Sequence, residues 1–182
     1  MPTNVVLFVS RNKDNKNITN FHERSTSFIT HYNYDDEKLK SEFSKFVNEG
    51  VSGETSRMYY SVNERDTEKI YKDLLHFLID EPAFDLCAMP SKLASIAAKN
   101  TNSKTKHWMF DFDINDIALA NEFVEDIKTI DSGVEVSVHK TPNGYAIITD
   151  HGFDIRKLNK KWGNNVTLKR DDLLCVKWEK KE

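Results

Sequence analysis

The residue types best suited to chemistry are two aspartates, Asp111 and Asp113, in the run His107-Trp108-Met109-Phe110-Asp111-Phe112-Asp113-Ile114. Side chains of an extended strand alternate between faces, so Trp108, Phe110, Phe112 and Ile114 share one face and both carboxylates share the other. Two like charges on alternate residues repel, and something must offset that cost. A hard divalent cation does so, because Mg²⁺ or Mn²⁺ takes carboxylate oxygens and keeps waters and substrate phosphates as its remaining ligands. The plainer alternative is a solvent-facing pair that caps the following helix, a role already open to Asn115 and Asp116.

The same parity extends to later segments. In Val166 to Trp178 the apolar positions 166, 168, 174, 176 and 178 are even, which places Asp171 on the open face as the preferred third carboxylate. Asp154 is held in reserve. Arg170-Asp171-Asp172 also reads as a polar hairpin turn, and parity does not survive a turn. In Val134 to His139 the three valines share one face and leave Glu135, Ser137 and His139 on the other. The stretch Lys140-Thr141-Pro142-Asn143-Gly144-Tyr145 has the chemistry of a tight turn, since Pro fixes one φ angle and Asn-Gly tolerates positive ones. Free backbone amides in such a turn can receive phosphate.

The elements that must position these residues read most clearly in the second half. A strand from His107 to Ile114, a helix from Asp116 to Ile130, a hairpin of Val134 to Thr141 with Tyr145 to Thr149, a short helix from Asp154 to Trp162 and a last strand or hairpin within Asn165 to Trp178 give the order βαββαβ. That order is a ferredoxin-like split βαβ unit whose first strand is central with the third beside it. The fold class is therefore α/β, of α+β type. Residues 106–182 are expected to form a catalytic-type lobe like an RNA-recognition motif, and residues 1–105 an N-terminal α/β lobe. In that first lobe Asn4 to Ser10 is a buried strand, and Asp35-Asp36-Glu37 starts a helix carrying Leu39, Phe43, Phe46 and Val47 that stops at Gly50. Arg57 to Val62 is a short strand, Asp66 or Thr67 caps a helix through Ile70, Leu74, Phe77 and Leu78, and a third helix starts near Pro90-Ser91. Asn12 to Asn33 is predominantly polar.

Composition narrows the setting. Twenty-six Lys and Arg nearly balance 29 Asp and Glu, for a net charge of −3, so no whole-chain basic field draws it to nucleic acid and any such affinity rests on local patches. Cys87 and Cys175 stand alone, without disulfide or zinc spacing. No stretch has the length of a membrane span, and the start has no signal-peptide pattern, so the chain is expected to be soluble, unprocessed and cytoplasmic.

Asp111-Phe112-Asp113 on such a strand, followed by Thr141-Pro142-Asn143-Gly144-Tyr145, resembles the archaeo-eukaryotic primase and primase-polymerase superfamily, especially small phage-encoded members, which would place the chain in a host cytoplasm. That family carries an Asp-x-Asp motif on a sheet of RNA-recognition-motif type, then a Ser-x-His motif for nucleotide phosphates, then an acidic residue after an apolar one. The resemblance implies metal-dependent nucleotidyl transfer, with Asp111, Asp113 and Asp171 as catalytic metal ligands. It implies nucleoside triphosphate as substrate, a single-stranded nucleic-acid template as partner, and Mg²⁺ or Mn²⁺ as cofactor. Substrate phosphates would meet Arg57, His139, Lys140, Thr141, Asn143, Gly144, Arg156 and position 146. Where the second motif would place its histidine this sequence has Ala146, which leaves active and inactive forms both open. Ser137-Val138-His139 spells the same motif before the turn, and Phe153-Asp154 spells the third motif in place of Arg170-Asp171. Three other functions compete: a non-catalytic nucleotide or nucleic-acid binder, a metal-dependent nuclease, and a phosphoesterase built on His139-Lys140-Thr141, which lacks the second His-x-Thr such enzymes carry.

Overall fold

A continuous apolar run needs cover on both faces, and Val5 to Val9 find it in the first of two sheets. The computed structural model describes residues 2–182. The first lobe contains β1 (Asn4–Ser10), β2 (Arg24–Thr30), α1 (Glu37–Asn48), β3 (Thr55–Ser61), α2 (Thr67–Asp80) and α3 (Met89–Ala97). The second contains β4 (Trp108–Phe112), α4 (Ile117–Ile130), β5 (Val136–Lys140), β6 (Tyr145–Thr149), α5 (Arg156–Trp162) and β7 (Val166–Lys169). The final strand, β8 (Leu173–Lys180), returns to the first sheet. The sheet orders are β2-β1-β3-β8 and β5-β6-β4-β7, antiparallel throughout.

The second sheet has the split βαβ arrangement predicted from the sequence, with β4 central between β6 and β7. Its even-numbered residues Phe110 and Phe112, with Trp108 and Ile114, pack on Phe123, Val124 and Ile127 of α4 and on Trp162 of α5. Asp116 is the N-cap of α4, accepting from Ala118 N at 2.8 Å, so Asp111 and Asp113 are released from any capping role. In the first sheet Val6 and Phe8 pack under Leu39, Phe43, Phe46 and Val47 of α1, whose N-cap is Asp36. Val5, on the opposite face, meets Ile70 of α2 and Ala94, Ile96 and Ala97 of α3. That face is covered only at this end, and Leu7 and Val9 border a cleft.

Two expectations are corrected. The polar stretch from Asn12 to Asn33 contains β2, an edge strand whose Phe28 and Ile29 join the cores on opposite faces of the sheet. The segment Asn165 to Trp178 is neither one strand nor a hairpin: β7 pairs with β4 in the second sheet, and β8 pairs with β3 in the first. The chain therefore crosses between sheets at Arg170-Asp171-Asp172.

A buried polar network holds that crossing. Arg65 Nη1 donates to Asp171 Oδ2 at 2.8 Å, with the two side chains 2% and 6% exposed. Asn63 Nδ2 donates to Asp171 Oδ1 at 3.1 Å and to His107 O at 3.1 Å, while Asn63 Oδ1 accepts from His107 N and Thr105 Oγ1. Removing one member of a buried ion pair leaves the other charge uncompensated, at a cost of about 3–5 kcal/mol. Asp171→Ala should therefore lower unfolding free energy in urea titrations by about that amount. A loss within ~0.5 kcal/mol, as at an ordinary surface position, would show that the crossing does not depend on this pair.

Candidate functional site

The open faces of the two sheets meet at a small apolar contact. Met109 of β4, Ala146 of β6 and Leu174 of β8 form its buried part. Beside it lies a cleft of about 410 Å³, within the size range of small-molecule sites. Leu7, Val9, Arg11, Lys13, Arg57, Tyr59, Leu173 and Cys175 line it from the first sheet and its loops. Met109, Asp111, Asp113, Ala146 and the turn residues Thr141, Pro142 and Asn143 line it from the second. Asp172, at the crossing, also lines it.

Strand parity delivers the acidic wall. Asp111 is half-buried on β4, and Asp113 follows just beyond the strand, its N–H donating to Asn165 O at 3.1 Å. Burial pushes the Asp111 carboxyl above its ordinary 3.8, and the charges of Asp113 and Asp172 push it the same way, against Lys169 and Lys13. The third carboxylate on this wall is Asp172 rather than Asp171. Asp171 has both oxygens engaged, by Arg65 and Asn63, and does not line the cleft, whereas its neighbour does. The odd-even pattern failed here because the crossing breaks the strand.

Other expected residues divide cleanly. Ala146 lies on the strand beside β4, as expected, and the ladder sets it directly opposite Asp111; His139 is opposite Ala146 one strand farther out. His139 does not line the cleft, and Ser137 Oγ lies 3.1 Å from its Nε2. Lys140 Nζ donates to Asn115 and rests 4.3 Å from the Tyr145 ring centroid. In the turn, Thr141 N donates to Gly144 O and Gly144 N to Thr141 Oγ1, so these amides are spent within the turn rather than free for phosphate. Positive φ is not what the turn requires of Gly144; a Cβ there would sit 2.1 Å from Phe112 O, and close approach to β4 selects glycine. Arg156 is exposed and forms a bidentate pair with Asp154, whose carboxyl it draws down to about 2. Neither Arg156 nor Asp154 lines the cleft.

Arg57 does line it, joined by two residues that the sequence reading passed over. Arg11 follows directly on β1, on the same odd parity as Leu7 and Val9, which was the available signal; Lys13 lies in the 3-10 turn Asn12–Asp14, where strand parity gives none. Cys175 is buried beside them with its thiol pushed up to about 11, which leaves it unreactive.

Among the described residues no group of three or more His, Cys, Asp or Glu side chains could by itself hold a metal ion. The donor set does suit a hard divalent cation that keeps water and phosphate ligands, since one or two carboxylates are its usual protein share. No family model matches the chain, and no curated protein or solved structure matches it either. No helix is long and apolar enough, among the described residues, to cross a membrane.

The raised Asp111 pKa has a definite stability consequence. The folded state holds this proton more tightly than the unfolded chain, so the contribution falls as pH rises from the unfolded value through the folded one. Ionised Asp111 therefore destabilises the fold at neutral pH. Asp111→Asn should raise the melting temperature at pH 7 relative to wild type, with the gain vanishing below pH 4. A lower melting temperature at pH 7 would contradict a strained acidic wall.

Proposed function

We propose that the cleft carries out metal-dependent nucleotidyl transfer from a nucleoside triphosphate, in the manner of a primase-polymerase. The carrying observation is one cleft with Asp111, Asp113 and Asp172 on one side and Arg11, Lys13 and Arg57 on the other. A substrate with a metal-bound polyphosphate needs both. Asp111 and Asp113 would hold Mg²⁺ or Mn²⁺, with Asp172 the nearest further carboxylate. When bound, such an ion activates a 3′-hydroxyl and steadies the leaving pyrophosphate. The chain's own part is orientation: the basic wall draws the phosphates across the cleft, and the apolar floor of Met109, Ala146 and Leu174 limits water beneath them.

The competing readings fit this cleft less well. A sheet that binds bases by stacking presents aromatics, yet Trp108, Phe110 and Phe112 pack into the helix-covered core and Tyr59 is the one aromatic among the described residues lining the cleft. A His139-based phosphoesterase would need that histidine in the cleft. A nuclease shares the carboxylates, and labelled triphosphates with Mn²⁺ on primed and unprimed single-stranded templates separate it from a transferase. Extension products are expected, and Asp111→Asn or Asp113→Asn should abolish both extension and Mn²⁺ binding in calorimetry. Degradation of the template without extension would replace this reading with the nuclease.

Position 146 offers a gain-of-function counterpart. An imidazole opposite Asp111 could donate to a triphosphate oxygen, a bond worth about 1.5–3 kcal/mol. Ala146→His should raise Mn²⁺-dependent nucleotide affinity or incorporation about 10- to 100-fold. It should also cost about 1–3 kcal/mol of stability, because Ala146 is buried in the contact between sheets. If His139→Ala removes nucleotide binding while Ala146→His leaves it unchanged, the phosphate-binding motif lies on β5 instead.

A further inference from the structure

On the first-sheet side of the cleft, two arginines share one acid. Arg57 Nη2 and Arg11 Nε both donate to Asp14, to Oδ1 and to Oδ2 respectively, the latter at 2.9 Å. Lys13 adds a third positive charge to the same wall, so three cations face one anion. The Arg57 side chain is 9% exposed, and its Nε meets neither a protein acceptor nor solvent. Arg11 Nη2 lies 2.8 Å from the Asp14 oxygen already used by Nε, but it is too poorly aligned to count as a bond and is likewise buried without a partner. Buried guanidinium groups short of acceptors are costly, and folded proteins carry few of them.

The loop bearing these groups is held rigidly. Asn15 Nδ2 donates to Arg11 O at 2.9 Å and to Thr55 O at 3.0 Å, and Asn15 Oδ1 accepts from Thr55 N at 2.6 Å. This staples the short 3-10 turn Asn12–Asp14 to the start of β3, with Asn15 itself buried. The two arginines are thus held in place by the fold, while Lys13 adds its charge from an exposed position.

We propose that Arg11, Lys13 and Arg57, anchored through Asp14, form a polyphosphate site that binds its anion without any metal. Tetrahedral phosphate oxygens match the planar guanidinium fork, and a chain of two or three phosphates offers acceptors to both arginines. The site is the phosphate-drawing wall of the proposed nucleotidyl transfer and rests on that reading for its ligand class, yet its binding requires nothing of Asp111 or Asp113. Those carboxylates oppose the anion across the cleft, so metal-free affinity is held down by them.

Calorimetry with inorganic tripolyphosphate in EDTA tests this on the full chain. Wild type should bind, and Arg57→Gln and Arg11→Gln should each weaken binding by about 10-fold or more, as loss of charge-assisted bonds requires. Arg57→Lys, which keeps the charge, covers the case in which Arg57→Gln fails to fold, and should also weaken binding through loss of the fork. Asp14→Asn should weaken binding, because it releases the anchor and lets the guanidinium groups pair with the carboxylates across the cleft; a cluster with no part in binding would show no change. Asp111→Asn should bind as well as wild type or better, and that result supports the site even where no nucleotide incorporation is detected. Absence of binding to wild type, or equal binding by wild type and both Gln variants, would overturn the proposal. So would Arg57-dependent binding of a short oligothymidylate with none of tripolyphosphate, since the wall would then serve a nucleic-acid backbone.

Discussion

The ion pair between Arg65 and Asp171 is the contact on which the rest of the architecture turns. It lies where the chain leaves β7 in one sheet and enters β8 in the other, and Asn63 ties the same point to the start of β4. Without a fixed crossing, two four-stranded sheets would meet only through a few apolar side chains such as Met109, Ala146 and Leu174. With it, the open face of each sheet is held opposite the other. A buried ion pair is a weak source of net stability, but here both oxygens of Asp171 are engaged, each by a residue of the segment that follows β3.

That definition matters because the two walls of the cleft carry opposite charge. Burial, with the charges of Asp113 and Asp172, holds the Asp111 carboxyl above its ordinary pKa, while Arg11 and Arg57 crowd around Asp14. Each wall is unfavourable alone. Neither collapses onto the other across the cleft, since the arginines are retained by Asp14, Asp111 is fixed in the β4 ladder, and Asp172 pairs with Lys169 at 3.6 Å. A ligand carrying a cation for one wall and phosphates for the other would relieve both strains at once, which is the physical basis of the nucleotidyl-transfer proposal.

Much of this was legible in the sequence where periodicity was unbroken. The alternation in Trp108 to Ile114 correctly separated a core face from the face of Asp111 and Asp113, and the spacing of Leu39, Phe43, Phe46 and Val47 marked the buried stripe of α1. The neighbouring of β4 and β6 was likewise foreseeable from the βαββαβ order, but the residue opposite Asp111 was not, because the hairpin turn sets only the register of β5 against β6. Legibility ended wherever partners lie far apart in sequence. Strand β2 hid in a polar stretch because an edge strand needs only Phe28 and Ile29 to reach the cores. Asp171 and Asp172 exchanged roles because their facing depends on a crossing set by Arg65, 106 residues away. Arg156 looked like a phosphate ligand until its pairing with Asp154 outside the cleft was visible.

The central claim is that one cleft accepts a divalent cation on the β4 wall and a polyphosphate reaching the Arg57 wall. Anomalous diffraction from crystals grown with Mn²⁺ and a non-hydrolysable nucleoside triphosphate tests it most directly. The account predicts a manganese peak coordinated by Asp111 and Asp113, with phosphate density extending from it toward Arg11 and Arg57. Manganese coordinated elsewhere, or a triphosphate lying outside the space between the two sheets, would contradict it.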